Sequence, residues 1–166
     1  MFVDNGSKYK GGFAHAVDLV KFIRREFGDY FTICVAGYPL GHPEATSYQQ
    51  DLIHLKEKVD AGANFIISQI VFNAVCFSQF VKDCRNIDIA VPILPGVMPV
   101  QSYKSLERTS SICHIPIPRA ILDAVKPIED NDDAVRNYGI HQAVQMIKEM
   151  FSLGCATGVH FFTLNR

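Results

Sequence analysis

The segment Ala36–Ala45 concentrates side chains that could do chemistry: a phenol at Tyr38, an imidazole at His42 and a carboxylate at Glu44, with Pro39 and Pro43 between them. Proline fixes its own backbone φ, so this loop is stiff. A rigid aromatic–imidazole loop suits a planar, phosphate-bearing ligand: the ring packs and the imidazole donates a hydrogen bond. A structural loop with a satisfied histidine is the competing account, and a lone histidine does not exclude it. Asp51 and Lys58 follow, seven residues apart, a spacing that returns them to one helix face after two turns. There Asp51 could accept from ribose hydroxyls and Lys58 neutralise phosphate, or the two could be ordinary surface charges.

Gln69 interrupts an otherwise apolar run. A buried amide left unpaired costs about 1–3 kcal/mol, so it must meet either backbone or a ligand. It can donate and accept at once, which suits a pterin edge. Arg166 follows Thr163-Leu164-Asn165. A guanidinium there could grip a carboxylate in bidentate fashion, or be an ordinary surface arginine. No Ser/His/Asp set or Cys/His pair stands out, and the six histidines are scattered, so no metal site is expected.

The elements that must position these groups alternate between helix and strand. Apolar spacing predicts helices over Phe13–Phe27, Ser47–Ala61, Ala74–Cys84, Ser102–Ser110, Pro118–Val125 and Asp132–Leu153, with Gly28, Gly62 and Gly154 as stops. Buried strands are expected at Phe31–Gly37 and Asn64–Phe72. A short strand that its prolines end early is expected at Val91–Val97, and a final strand at Gly158–Leu164. Residues 1–10 are polar and read as a flexible lead-in, leaving 11–166 as one domain. The alternation makes the chain α/β with parallel strands. Tyr38, His42, Gln69, Gln101 and Thr163 fall at strand C-terminal ends, where a (β/α)8 barrel builds its active site. An open, doubly wound sheet is the alternative, weakened by the lack of a G-x-G-x-x-G turn. Four strands are half a barrel, so exposed edges and pairing with a second copy or with the remaining strands are expected.

Composition narrows the class. The chain has 166 residues, 48% of them hydrophobic and 20% charged, with a formal net charge of -1. That balance lacks the basic stripe of a nucleic-acid binder. No apolar stretch reaches the roughly 18 residues of a membrane span, and no secretory leader pattern is present. Five cysteines, none in a C-x-x-C pair, read as reduced, mostly buried thiols of a cytoplasmic protein.

Five ordered segments resemble the methylenetetrahydrofolate reductase family: VAGYPLGHPEA at Val35–Ala45, DLIHLKEKVDAGANFIISQ at Asp51–Gln69, VPILPGVMPVQ at Val91–Gln101, DDAVRNYGI at Asp132–Ile140 and HFFTLNR at His160–Arg166. The lead-in AVDLVKFIRREFGDYF at Ala16–Phe31 is similar to the eukaryotic branch. The resemblance implies about the last four β/α units of a TIM barrel, with FAD in its mouth and NADPH or NADH as hydride donor. It implies reduction of 5,10-methylenetetrahydrofolate to 5-methyltetrahydrofolate, a step of one-carbon and methionine metabolism.

By motif position, Tyr38, His42, Ala45, Asp51 and Lys58 match flavin-contacting positions, and Ile67 matches one near the nicotinamide. Gln69, Phe162 and Arg166 match folate-contacting positions, with Arg166 near the glutamate tail. Phe162 stands where the family has tyrosine, so the hydroxyl of that residue is lost. The family's proton-donor glutamate lies on strands without a counterpart here, so no catalytic residue is assigned. A catalytically inactive half-barrel that serves as an interaction or dimerisation module is the second expectation.

Overall fold

The computed structural model describes residues 12–163. The expected flexible lead-in and Arg166 lie outside the described residues. The elements run α1 (Ala16–Phe27), β1 (Cys34–Gly37), α2 (Tyr48–Asp60), β2 (Phe65–Ile70), α3 (Ala74–Asn86), β3 (Ile93–Val97), α4 (Tyr103–Cys113), α5 (Arg119–Val125), a 3-10 turn (Lys126–Ile128), α6 (Asp132–Ser152) and β4 (His160–Phe161).

Polar residues just ahead of the apolar runs set where the helices begin. Ser47 Oγ accepts from the Gln50 N–H (3.1 Å), and Asn73 Oδ1 accepts from the Cys76 N–H (3.0 Å). Asn131 Oδ1 likewise accepts from the Ala134 N–H at 3.0 Å. Each cap satisfies a backbone donor that the first helical turn leaves without a partner. At the far end of α2, Gly62 takes φ +114°, and a Cβ there would meet Arg24 Nε at 2.7 Å. Arg24 uses that space. It donates to the Gly62 carbonyl from Nε (3.0 Å) and Nη2 (2.7 Å), and to Asn64 Oδ1 (2.6 Å), Gly28 O (2.9 Å) and Phe31 O (2.8 Å). One guanidinium thus ties α1 to the turns that feed β1 and β2.

The four strands are parallel and lie in chain order, β1-β2-β3-β4. A doubly wound sheet would reverse its order part-way; this one does not, so the sheet is a barrel segment. The core fills the outer face. Val35, Ile66, Ile93 and Val97 pack with Leu52, Leu55, Phe77, Phe80, Met146 and Met150 from α2, α3 and α6. A smaller cluster of Val100, Leu106, Ile121, Val125 and Val135 lies under α4 and α5.

The expected buried strands are covered on one face, as four strands of an eight-stranded barrel leave the interior side open. Burial alternates along β1 and β2, leaving Cys34 and Ala36 exposed and Phe65, Ile67 and Gln69 half-buried. The face that would line a barrel interior is only partly covered by the described residues. The thiols are less hidden than expected: Cys84 is buried, Cys34 is exposed and the other three are intermediate.

Two strands differ from the expected lengths. β3 continues through Pro95. The N–H and C=O groups of Gly96 bond toward β2, and the Val97 carbonyl accepts from Phe162 N–H on the β4 side. The Pro95 nitrogen therefore also faces β4, which begins to pair only at Gly96, so no ladder bond is lost. Against the expected Gly158–Leu164, β4 covers His160 and Phe161 among the described residues, and Leu164 lies outside them.

Candidate functional site

Parallel strands bring their C-terminal ends to one side, and the loop after β1 opens there. Its turns are closed by Gly41 N–H to Tyr38 O (2.9 Å) and Ala45 N–H to His42 O (3.0 Å). The Tyr38 and His42 rings meet edge to face, centroids 4.6 Å apart at 88°. His42 Nδ1 accepts from the Glu44 N–H at 3.1 Å, so a neutral ring carries its proton on Nε2.

Asp51, in the first turn of α2, is only 8% exposed. Its Oδ2 accepts from the His42 backbone N–H at 3.2 Å, clamping the loop to the helix. Burial pushes this carboxyl above its ordinary pKa, against the opposing pull of Lys58 and the His42 N–H. Lys58 Nζ donates to the Ala36 carbonyl at 2.8 Å. Burial holds the ammonium below its ordinary pKa, opposed by Asp51. Tyr38, His42, Asp51 and Lys58 line one cavity of about 570 Å³, together with Glu44 and the inner side of α1. Burial, followed by the negative charge of Asp51, raises the Tyr38 phenol.

Tyr38 also walls a second, more apolar cavity of about 470 Å³, and Gln69 lines that one. Gln69 Oε1 accepts from the Ile70 N–H at 3.0 Å. The far wall is Cys113–Pro118, the connection from α4 to α5. Sequence reasoning missed this wall. Its only mark was the Ile115-Pro116-Ile117-Pro118 run, which gives no hint that α4 carries it back over the β1 loop.

Phe162 lies apart, in a third cavity of about 510 Å³ with Gln101, Ser105, Arg108 and Thr109. Its ring stacks edge to face on His160, centroids 4.7 Å apart. The expected residues therefore do not all share one pocket. Tyr38, His42, Asp51 and Lys58 do, Gln69 joins them through Tyr38, and Phe162 is separate. Ala45 and Ile67 line none of these cavities. Ile67 sits mid-strand, paired with Ala36 and Leu94. Among the described residues, no three His, Cys, Asp or Glu side chains gather where they could hold a metal ion.

The sequence profile of methylenetetrahydrofolate reductase matches residues 3–166. The chain belongs to the methylenetetrahydrofolate reductase family. A Caenorhabditis elegans protein named probable methylenetetrahydrofolate reductase (NADPH) is 48% identical over 91% of the chain. Methylenetetrahydrofolate reductase (NADH) 1 of Arabidopsis thaliana is 46% identical over 98% of it. The chain spans 23% and 29% of the lengths of these two methylenetetrahydrofolate reductases. Both are eukaryotic, in keeping with the α1 segment. A solved Clostridium thermocellum protein, described as binding two copies of 5-methyl-5,6,7,8-tetrahydrofolic acid, superposes with a TM-score of 0.65. It covers 88% of this chain and 51% of its own, at 21% identity, a likeness of fold.

Proposed function

We propose that the chain forms about the last four β/α units of a flavin-dependent reductase barrel that converts 5,10-methylenetetrahydrofolate to 5-methyltetrahydrofolate with NADPH or NADH. The observation that carries this reading is the position of Tyr38. It stands between the cavity of His42, Asp51 and Lys58 and the cavity of Gln69, so one ring can border both a cofactor and a substrate.

The donor set fits FAD. Tyr38 and His42 offer ring surface, Asp51 a carboxylate for a sugar or ribityl hydroxyl, and Lys58 a cation for the pyrophosphate. When bound, the flavin supplies the hydride relay between nicotinamide and folate. The chain's own residues bind and orient. A phosphate beside Lys58 offsets the burial that now depresses its pKa. Asp51 holds the His42 loop in place, and Ala45 closes the turn that shapes it. Ile67 borders the nicotinamide side. Gln69, Phe162 and Arg166 receive the folate, with Arg166 at its carboxylate tail.

No helix among the described residues is long and apolar enough to cross a membrane. We place the reaction in the cytoplasm, which suits free thiols. The sheet edges at β1 and β4 pair with the remaining strands of a barrel or with a second copy, which then cover the partly exposed face.

FAD titrated into the chain, followed by quenching of flavin fluorescence, tests the cofactor reading; Lys58→Met should weaken binding about tenfold or more. The same titration is repeated with the remaining barrel strands supplied as a second polypeptide. Failure to bind flavin in either format sinks the reading. A stable flavin-free dimer would favour the inactive interaction module instead.

A further inference from the structure

Strand β2 carries one residue too many. Between the pairs Ile67–Leu94 and Ile70–Gly96, Ser68 and Gln69 stand opposite Pro95 alone. Two-for-one bulges are rare between parallel strands, and they gather beside sites where a side chain must be re-aimed. A bulge also takes backbone groups out of the regular ladder, and here the bulge's own side chains receive them. Ser68 Oγ accepts from the Gly96 N–H at 3.0 Å and donates to the Gln69 carbonyl at 2.7 Å. Gln69 Oε1 accepts from the Ile70 N–H. Ser68 is only 1% exposed, so this hydroxyl works inside the protein.

Gly96 completes the arrangement from β3. A Cβ there would lie 2.4 Å from the Ser68 carbonyl oxygen and 2.4 Å from the Phe162 ring. Only a glycine lets the bulge and the ring approach from either side. Gln69 on β2 and Phe162 beyond β4 are therefore referenced to the same backbone point, although they line different cavities.

We propose that Ser68 is a positioning residue for folate: its hydroxyl locks the β2 bulge and so sets the Gln69 amide relative to Phe162. This rests on the reading of Gln69 as a folate contact. A serine that merely filled space would not discriminate between its methyl and hydroxyl replacements, nor between two ligands.

The test uses the whole 166-residue chain, as wild type, Ser68→Ala and Ser68→Thr, by nitrogen-edited NMR. In Ser68→Ala, hydrogen exchange at the Gly96 amide should accelerate about tenfold or more, and the Gln69 side-chain amide signals should move. Affinity for 5-methyltetrahydrofolate, read at those signals, should fall about tenfold, while FAD affinity stays within about twofold. Ser68→Thr keeps the hydroxyl and should restore all three. If Ser68→Ala does not fold, Ser68→Cys, similar in size but a weak acceptor, carries the same expectations. Unchanged Gly96 exchange and Gln69 signals overturn the proposal, as does equal behaviour of Ala and Thr. Wild-type chain that shows no Gln69 response to 5-methyltetrahydrofolate overturns the folate reading of Gln69, and this inference with it. Equal folate responses in wild type and Ser68→Ala overturn the inference alone.

Discussion

Lys58 Nζ lies 2.8 Å from the carbonyl oxygen of Ala36, so the last turn of α2 reaches back to strand β1. Burial keeps this ammonium below its ordinary pKa of 10.5. The folded chain therefore binds the proton less tightly than the unfolded chain. Its charge costs stability below the folded pKa, and that cost disappears as pH rises toward the unfolded value. Wild type should gain thermal stability relative to Lys58→Met as pH rises toward about 10.5. A constant difference in melting temperature over that rise would count against the assignment.

Asp51 shows the opposite sign. Burial raises its pKa above 3.8, so the folded chain holds this proton more tightly. The ionised carboxylate costs stability above the folded pKa, and acidification relieves the cost down to the unfolded value. Relative to Asp51→Asn, wild type should gain as pH falls toward about 4. Asp51→Ala removes the acceptor for the His42 N–H and should speed hydrogen exchange at that amide, whereas Asn keeps an oxygen there. Exchange in the Ala variant as slow as in wild type would show that the clamp is not what holds the loop.

Gly139 lies in α6 against the turn after β3. Alanine is the better helix former by about 1 kcal/mol. A Cβ at 139, however, would sit 2.2 Å from Val100 O and 2.8 Å from Val100 N. Backbone does not yield as a side-chain tip does, so the clash should outweigh the propensity. Gly139→Ala is expected to lose about 2–3 kcal/mol in urea denaturation; a neutral or stabilising effect would show that α6 can move away.

Arg24→Ala removes all the bonds that join α1 to the carbonyls of Gly28, Phe31 and Gly62 and to Asn64. Several carbonyls lose a charged donor at once, and a loss of about 2–4 kcal/mol is expected. The urea midpoint should fall with little change in slope. Arg24→Lys should recover only part of it, because one ammonium cannot span the same fan of acceptors.

Much of this was legible in the sequence. The helices announce themselves by apolar spacing and by Ser47, Asn73 and Asn131 at their starts. The ends of α1, α2 and α6 fall just before Gly28, Gly62 and Gly154, whereas α4 ends at His114 in the left-handed conformation, which no glycine marks. Strand exposure was legible only from the count of four strands, because a run such as Phe65–Ile70 reads the same whether one face or both are covered. The extra residue at Ser68–Gln69 is hidden for a similar reason: burial still alternates through it, so no break in period betrays it. The residue types around Tyr38 pointed to a ligand loop. The separation of Phe162 from that loop depends on how α4 crosses between strand ends, which no local pattern encodes.

The uncovered face of the sheet also provides a chemical reporter. Cys34 projects from it, exposed, while Cys84 is buried with its thiol pushed up to about 12. Burial raises the Cys34 thiol too, so an alkylating reagent used at alkaline pH should modify the exposed Cys34 well before the buried Cys84. Anything that seats itself on the face, whether further strands or another copy, should slow that labelling. The rate of a single reaction thus becomes a footprint of assembly, readable by mass spectrometry without knowing the partner beforehand.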